Sequence, residues 1–533
     1  MISLFLISSG AYVEPELEAE FGRLPPAFLP LGNRRLFVHQ RLAIGKAATR
    51  LLLSLPEDFE PDPGDRWHLE QLGFEIVKVP PGLSLGQSLI YVINITASAG
   101  ADLAILHGDT LIDGLDWGQS DIVSVESAVP PGYHWGYVRS RAGALELADD
   151  DPDAEDAVAL TGFFSFSSAS LLVQSVTRAG GDFVRGLVGY SEQRPLGTAA
   201  AGKWLDFGHA STYHLSRQAI TTERDFNTLV SDRRRITKSG TDGAKIEAEA
   251  SWYEALPPPL RVYTPAFLGR RDDVVPTAYS IEYLHLPTLA DLFVFGRLSR
   301  RAWAQMLAAC DEFLSESAGY PAPQTVAPRR TLYLEKTLER LESFARSSGL
   351  SLREPCRFAG AWLPALEQMA RFAAAAIPAA EPAFHTLVHG DFCFSNILYD
   401  FRSQRIRVID PRGLNAEGEI SPYGDRRYDI GKLHHSAVGK YDLIMAGLFS
   451  LERQGPLAFS LTLPDTISTR AVREVFLGRA FAGLDPGKAA AHPISILLFL
   501  SMLPLHADGP ERQLALLANA MRLFLELDSG RTG

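Results

Sequence analysis

The sequence predicts two domains of different fold class: an α/β domain with a mostly parallel sheet over residues 1–220, and an α+β domain over residues 221–533. Three observations predict this. Short apolar runs separated by helix-length segments fill the first part, the pattern changes near residue 221, and amphipathic helical stretches dominate the remainder. The length of 533 residues also favours more than one core, because single cores rarely grow beyond about 250–300 residues.

The α/β prediction comes from strand-like runs in the first domain. Each run has a length typical of a strand and is rich in apolar residues: SLFLI, LLLSL, FEIVKV, DLAILHGD, DIVSV and LTGFFSFS. Such runs, spaced by helical lengths, are typical of buried parallel strands with helices on both faces. The acidic segment DDDPDAED at 149–156 is expected to be a solvent-exposed loop.

The α+β prediction comes from the residues after 221. A hairpin, FNTLVSDRRRITKSG, and a helix, KIEAEASWYEALP, are expected to open a bilobal domain with an N-terminal lobe over about 225–290 and a C-terminal lobe over about 291–533. In LYLEKTLERLESF, Leu334, Leu338 and Leu341 form one apolar stripe with charged residues opposite, as an amphipathic helix requires.

Composition narrows the function. The 51 Lys and Arg against 63 Asp and Glu give a net charge of -12, which argues against nucleic acid or an anionic membrane as the main partner. Three cysteines without close spacing favour neither a disulfide framework nor a Cys-based zinc site, and fit a cytoplasmic location. MISLFLISSG is expected to be a buried first strand and Ile494 to Leu505 a core helix, since a membrane span needs about 20 apolar residues.

A candidate phosphotransfer loop lies in HGDFCFSNILYD, residues 389–400. Asp391 precedes Asn396 in it, so one loop can bring a carboxylate base and an amide metal ligand together. Asp410 ends the next predicted strand, RIRVID, where its carboxylate would complete a Mg²⁺ site. His389 is expected to hydrogen-bond within this loop.

A second set of candidates lies upstream. Lys238 falls on a predicted strand and Glu249 on the helix after it, the arrangement in which a Lys held by a Glu reaches the phosphates of ATP. The less favoured alternative for Lys238 alone is a solvated hairpin residue, and the ordered set favours phosphotransfer. Downstream, Asp425 and Asp429 are expected to cap or brace the catalytic loop.

HGDFCFSN, VIDPRG and YGDRRYDIGKL, in this order, resemble the aminoglycoside phosphotransferase and choline kinase family over about residues 225–533. The resemblance implies a kinase-like phosphotransferase that uses ATP and Mg²⁺ to phosphorylate a small alcohol or sugar. It implies these roles: catalytic base for Asp391, a place beside the transferring phosphate for Arg412, metal ligation for Asn396 and Asp410, and nucleotide phosphate contact for Lys238 with Glu249. One departure is that no Gly-rich loop precedes Lys238.

The first domain carries two candidate metal ligands. Asp109 follows an apolar strand in LAILHGDTLI, where ligands of α/β sheets gather, and Asp206 lies in KWLDFGHASTYH. Two carboxylates from separate strand ends can bind one Mg²⁺ on a nucleoside triphosphate. The alternative, weighted equally on these residues alone, is a pair of helix-capping carboxylates.

HGDT, WLDFGHASTY and LPPAFLPLGNRRLFVHQ resemble motifs of sugar nucleotidyltransferases of the pyrophosphorylase type, over about residues 1–220. The resemblance implies a Rossmann-like nucleotidyltransferase fold, with Asp109 and Asp206 on Mg²⁺. It places Gly10 in the triphosphate loop and Gly86 and Ser88 near the base of a second nucleotide, which is CTP, UTP, GTP or dTTP.

This part departs from the nucleotidyltransferase pattern in its cations. An acidic stretch follows Gly10 where the family has a basic Gly-rich loop, and Pro26 occupies the position of the catalytic lysine. Arg23, Arg34 and Arg35 are either substitutes for these cations or ordinary surface residues.

The leading hypothesis is a bifunctional cytoplasmic enzyme of bacterial cell-surface (capsule) polysaccharide synthesis, in which a kinase makes a phosphate monoester and a nucleotidyltransferase couples it to a nucleotide. The alternative keeps the kinase active and makes the first domain a degenerate nucleotide or nucleotide-sugar sensor. An inactive scaffold and a protein kinase fit the sequence less well. Small molecules and nucleotides are the expected partners, with no nucleic acid and no membrane insertion; the sequence leaves the oligomeric state open.

Overall fold

A computed structural model describes residues 2–127, 129, 133, 135–141, 144–148, 156–220, 227–231, 234–240, 242–271, 277–323, 333–379 and 381–530. The chain divides into two compact units, Met1–Ile220 and Thr221–Gly533. Apart from Asp156, the expected acidic loop at 149–156 lies outside the described residues, as do residues 221–226, where the sequence pattern changes.

The first unit alternates strands and helices. Its strands are β1 (Ile2–Ser8), β2 (Pro30–Leu31), β3 (Arg34–Arg35), β4 (Ala48–Pro56), β5 (Glu75–Val79), β6 (Leu103–His107), β7 (Thr110–Asp113), β8 (Ile122–Glu126), β9 (Tyr137–Arg141), β10 (Ala144–Leu147), β11 (Val158–Phe166), β12 (Gly197–Ala200) and β13 (Lys203–Asp206). Its helices are α1 (Pro15–Phe21), α2 (Leu36–Ile44), α3 (Pro63–Gln71), α4 (Leu85–Ile95), α5 (Ala169–Arg178), α6 (Phe183–Ser191) and α7 (Ala210–Gln218).

The centre of the first unit is a parallel sheet in the order β6-β1-β4-β5, which confirms the predicted α/β class. Antiparallel strands β11, β9 and β10 extend the sheet beyond β6. Leu4 and Leu6 on β1 belong to a core that includes residues of α4, α5 and α6, whereas Phe5 packs on Trp117 and Phe163. Apolar residues on both faces of β1 explain why its sequence is continuously hydrophobic.

The second unit begins with strands and continues mostly as helices. Its strands are β14 (Asn227–Ser231), β15 (Arg235–Gly240), β16 (Phe267–Arg271), β17 (Ala278–Glu282), β18 (Cys356–Phe358), β19 (Ala361–Leu363), β20 (His385–Leu387), β21 (Ile397–Asp400), β22 (Arg405–Val408), β23 (Tyr423–Asp425), β24 (Ser450–Gly455) and β25 (Ala458–Thr462). Its helices are α8 (Gly243–Ala255), α9 (Pro258–Arg261), α10 (Leu289–Phe295), α11 (Arg300–Ala318), α12 (Leu334–Ser348), α13 (Leu366–Ala375), α14 (Arg426–Ala437), α15 (Tyr441–Met445), α16 (Ile467–Leu477), α17 (Ala491–Met502) and α18 (Pro510–Asp528).

An antiparallel sheet in the order β14-β15-β17-β16 carries α8 against it, and the later helices pack around α17. Every residue of α17 is buried, which confirms the core helix expected there. Leu341 on α12 is fully buried, and Leu334 and Leu338 are partly buried beside it, as the amphipathic stripe predicted. In the described part of the chain, no helix is both long enough and apolar enough to cross a membrane.

Candidate functional sites

A β-hairpin brings the candidate metal ligands of the second unit together. Strands β21 and β22 pair from Ile397 opposite Val408 to the turn, where the Asp400 carboxylate accepts two backbone N–H bonds at 2.9 and 3.2 Å. At the open end, the Ile409 N–H donates to the Asn396 carbonyl at 3.0 Å. Asn396 and the residue before Asp410 are therefore paired across the two strands.

The catalytic loop is held by two buried side chains, His389 and Asp429. His389 Nδ1 accepts the backbone N–H of Asp391 at 3.2 Å, so Nε2 carries the proton that bonds to the Ile409 carbonyl at 3.0 Å. Burial lowers the pKa of His389 to about 4, which keeps the ring neutral. The Asp429 carboxylate accepts the N–H groups of His389 and Gly390, both at 2.8 Å. Both residues therefore position the loop.

Asp391 is oriented from two sides. Asn396 Nδ2 donates to Asp391 Oδ2 at 3.1 Å and to its carbonyl at 3.0 Å, which leaves Oδ1 as the Asn396 atom able to serve as a metal ligand. Lys432 Nζ lies 2.6 Å from Asp391 Oδ1. Lys432 was missed by the sequence reasoning, although its place three residues after Asp429 in YDIGKL sets both on one face of α14.

Lys238 lies between two carboxylates. Its Nζ is 2.7 Å from Glu249 Oε2 and 3.0 Å from Asp410 Oδ1, and the Tyr279 hydroxyl donates to Glu249 Oε2 at 2.8 Å. Burial alone would lower the pKa of Lys238, but Asp410 and Glu249 raise it above the ordinary value. The ammonium therefore stays charged, while the half-exposed Asp410 carboxylate remains accessible to a metal ion.

Arg412 lies against the same loop. Its backbone N–H donates to the His389 carbonyl at 2.9 Å, and its guanidinium donates to the Asn415 carbonyl at 3.4 Å. Gly390 has a φ of +77°, and a Cβ at this position would lie 2.7 Å from Arg412 Cβ, so only glycine allows this approach. The structure thus brings together Lys238, Glu249, Asp391, Asn396, Asp410 and Arg412.

The candidate metal ligands of the first unit also meet. Strands β7 and β13 pair with Thr110 opposite Asp206, and the Phe207 N–H donates to the Asp109 carbonyl at 2.8 Å. A Cβ built on Gly208 would lie 2.9 Å from Asp109 Oδ2 and 3.6 Å from Asp206 Oδ1, so the two carboxylates flank this glycine. Burial and the Asp109 charge raise the pKa of Asp206 to about 7. A cation between them would relieve this repulsion.

The three residues predicted to bind the second nucleotide differ in their surroundings. Gly10 follows β1 at the edge where Asp109 follows β6, and a Cβ on it would lie 3.2 Å from Ser88 Oγ. Gly86 packs against the Gly181 backbone, so close packing at the start of α4 already requires glycine there. Nucleotide contact by these residues stays a prediction.

Two of the three arginines considered as substitute cations already have carboxylate partners. Arg35 and Asp65 form a buried pair at 2.6 Å, and Arg23 pairs with Asp58 at 3.0 Å on the surface. Pro26 begins a short 3₁₀ turn and supplies no charge. Arg35 is therefore held inside the fold by Asp65 and supplies no positive charge to the Asp109 and Asp206 pair.

Each candidate Mg²⁺ site offers two protein ligands. Among the described residues, no group of three or more His, Cys, Asp and Glu side chains is arranged to hold a metal ion. Two protein ligands suit Mg²⁺, because this ion usually binds one or two carboxylates and completes its coordination shell with phosphate oxygens and water. Asn396 with Asp410, and Asp109 with Asp206, fit that pattern.

Comparison with known proteins finds a family match within the second unit. Residues 244–444 match the model of the phosphotransferase enzyme family (APH), which confirms the resemblance seen in the sequence; the match starts after Lys238 and includes the other five residues of the site. No curated protein matches the chain.

Two solved structures resemble the first unit. A UDP-glucose pyrophosphorylase from Acinetobacter baumannii is 14% identical, with a TM-score of 0.32, over 41% of this chain and 93% of its own. A protein assigned as a glucose-1-phosphate thymidylyltransferase from Bacillus anthracis is 12% identical, with a TM-score of 0.34, over 42% of this chain and 98% of its own. The family match therefore falls in the second unit and the two structural similarities in the first.

Proposed function

We propose that the second unit transfers the γ-phosphoryl group of ATP to a hydroxyl of a small alcohol or sugar. One observation carries the proposal: Lys238, Glu249 and Asp410 form a charged cluster, while Asp391 and Asn396 lie on the loop paired to the strand before Asp410. Phosphoryl transfer needs cations on the phosphates, metal ligands and a carboxylate for the attacking hydroxyl, and this cluster supplies each.

In this mechanism Asp391 accepts the proton of the acceptor hydroxyl as the oxygen attacks the γ-phosphorus. A new O–P bond forms, the bond between that phosphorus and the β,γ-bridging oxygen breaks, and ADP leaves with the electron pair. Lys238 contacts the α- and β-phosphates, and Glu249 fixes its direction. Asn396 and Asp410 would hold Mg²⁺, which neutralises phosphate charge when bound, and Arg412 counters charge on the transferring group.

For the first unit we propose coupling of the phosphorylated product to a nucleotide, with Asp109 and Asp206 holding Mg²⁺ on the triphosphate. The alternative is a degenerate nucleotide sensor. Pro26 at the lysine position and the engagement of Arg35 by Asp65 favour the alternative, because a triphosphate facing two carboxylates needs compensating cations. Either function suits a cytoplasmic supply of precursors for bacterial cell-surface polysaccharide.

Two incubations test the proposal. The full chain is mixed with ATP, Mg²⁺ and a pooled set of alcohols and sugars, and mass spectrometry should find one product that gains a phosphoryl group and is absent with Asp391→Asn. Absence of any such product would refute the kinase. Adding CTP, UTP, GTP or dTTP and following pyrophosphate then separates the two functions proposed for the first unit, since only a catalyst releases pyrophosphate and loses it with Asp109→Ala.

A further inference from the structure

A cavity of about 560 Å³ lies beside the catalytic loop. Its wall includes Gly390, Arg412, Tyr333, Tyr428 and Ile377. Pockets for small molecules usually measure about 300–1,000 Å³, so the cavity has room for a molecule of monosaccharide size. Because Gly390 immediately precedes the candidate base, a molecule in this cavity borders the loop that would take its proton.

Among the described residues, three cations without carboxylate partners gather at this cavity. Arg412 lines the cavity, and Lys336 and Arg340, one helical turn apart on α12, lie behind its wall, close enough to Arg412 to be repelled by its charge. In the part of the chain that the structure describes, the Lys336 side chain makes no hydrogen bond or ion pair. The guanidinium groups of Arg340 and Arg412 donate there only to the carbonyls of Ser501 and Asn415, at 3.2 and 3.4 Å. The three side chains therefore have no ion-pair partner among the described residues.

Asp391, which acts electrostatically on Lys336, and Asp425, on the cavity wall, already have partners. Asp391 lies 2.6 Å from Lys432, and Asp425 lies 2.6 Å from Arg427 and accepts the Tyr333 hydroxyl at 3.0 Å. Glu417 on the cavity wall is exposed to solvent. None of these groups removes the excess of positive charge around Lys336 and Arg412.

Folding alone does not explain this arrangement. Like charges four residues apart on a helix destabilise it slightly, and Lys336 and Arg340 also face the charge of Arg412. Burial, followed by repulsion from Arg412, Arg340 and Lys432, lowers the pKa of Lys336 to about 7. An anion bound among these groups would turn the repulsion into attraction.

We propose that the acceptor alcohol itself carries an anionic group, a carboxylate or a phosphate, which Lys336 and Arg412 bind while its hydroxyl faces Asp391. This inference rests on the proposed kinase function and narrows its acceptor. It excludes cationic alcohols such as choline and amino sugars, which Lys336, Arg340 and Arg412 would repel. A sugar acid, a hydroxy acid or a sugar phosphate fits the charge and the volume.

Two matched series of probes test the acceptor charge. Glucose, glucosamine, gluconate and glucose 6-phosphate share a carbon number, as do glycerol, glycerate and glycerol 3-phosphate. Binding is measured calorimetrically with the Asp391→Asn chain, so that nothing is turned over. The anionic members of at least one series should bind about tenfold or more tightly than the neutral and cationic ones, as charge-assisted hydrogen bonds predict. Equal binding within both series, at any level, overturns the inference.

Charge-removing variants locate the effect. Lys336→Met should weaken the anionic members about tenfold or more and change ATP affinity less than twofold. Arg346→Met, on the exposed face of the same helix, likewise replaces a basic side chain by Met and should change neither. If Lys336→Met weakens ATP and spares the acceptors, the cations serve the nucleotide and the inference fails. If anionic probes bind but the unmutated chain phosphorylates none of them, the kinase proposal fails and the binding inference stands.

Discussion

Replacement of Asp391 by Asn separates the chemistry of the proposed kinase from its architecture. The amide keeps an oxygen that can accept from Asn396 Nδ2, now at 3.1 Å, so the loop keeps its main internal contact. What disappears is the negative charge that draws the proton from the acceptor. A positioned general base contributes about 10²–10⁴-fold, so the barrier should rise by about 3–5 kcal/mol.

The same change also removes the partner of Lys432, whose side chain is only 14% exposed. Breaking a fully buried ion pair costs about 3–5 kcal/mol. Because the Asp391 side chain is 39% exposed, water offsets part of that cost, and we expect the free energy of unfolding to fall by about 1–3 kcal/mol. In the double variant Asp391→Asn/Lys432→Met the unpaired ammonium is absent, and most of the lost stability should return while activity should not.

The assay couples ADP release to NADH oxidation with an accepted substrate in excess, and chemical denaturation reports the free energy of unfolding. Asp391→Glu serves as a control that keeps the charge and moves it by one methylene. If Asp391→Asn retains more than a tenth of the turnover with unchanged ATP affinity, Asp391 is not the base. Recovered turnover in the double variant would show that Asp391 acts only by neutralising Lys432.

Four other predictions concern single positions. Gly390→Ala should lower the free energy of unfolding by about 1–3 kcal/mol and reduce turnover, because φ is +77° and the new Cβ would lie 2.7 Å from Arg412 Cβ. Gly349 also has a positive φ but open space around it, so denaturation of Gly349→Ala measures the backbone strain without the contact. Lys238→Met should raise the KM for ATP about tenfold or more and destabilise the second unit, because Glu249 is left buried without the ammonium group that pairs with it. The double variant Lys238→Met/Glu249→Gln should recover stability but not the KM. An unchanged KM in the single variant contradicts the phosphate contact. Asp206 has a folded pKa of about 7 against an ordinary 3.8. Its contribution to the stability of the metal-free first unit, about 4 kcal/mol at most, is therefore fully present below pH 3.8 and is lost as the pH rises from there through 7. Asp206→Asn should flatten this part of the pH dependence of unfolding, and an unchanged slope refutes the shift. Binding of glycerate or glycerol 3-phosphate at pH 8 should be accompanied by uptake of close to one proton, because the bound anion restores the charge of Lys336. Calorimetry in buffers of different ionisation enthalpy measures this uptake. If the uptake persists in Lys336→Met, the proton binds to another group.

The parts of the site that the sequence predicts are those that local structure assembles. Asp391 and Asn396 share one loop, and Asp410 comes after a strand that pairs back onto the strand after Asn396, so a single hairpin brings the three together. The parallel centre of the first unit is likewise visible in continuous apolar runs such as that of β1. In both cases the determining contacts lie within short stretches of chain or result from burial on two faces.

The features that the sequence did not predict depend on contacts between distant segments. The pairing of Lys432 with Asp391 requires the packing of α14 under the loop, and the approach of Lys336 to Arg412 joins residues from α12 and the loop after β22. Arg35 is the opposite case, in which a contact suggested by the sequence is not available. Its charge suggested a contact with the triphosphate, but Asp65 binds it in the interior. For Lys432 and Arg35, residue type and spacing did not indicate which partner the charged side chain finds after folding.

The candidate sites of the two units differ in whether their carboxylates are paired with cations, and this difference bears on which unit is the better candidate for catalysis. In the second unit each candidate carboxylate faces a cation: Asp391 meets Lys432, and Asp410 meets Lys238. Additional basic side chains, Lys336 and Arg412, lie near the same loop. In the first unit Asp109 and Asp206 repel each other, and Arg35 is held elsewhere. If both units bind nucleotides as proposed, a triphosphate in the second unit would be attracted by the protein's own cations, whereas one in the first would depend on its bound metal ion. Depletion of Mg²⁺ should then abolish nucleotide binding in the first unit more completely.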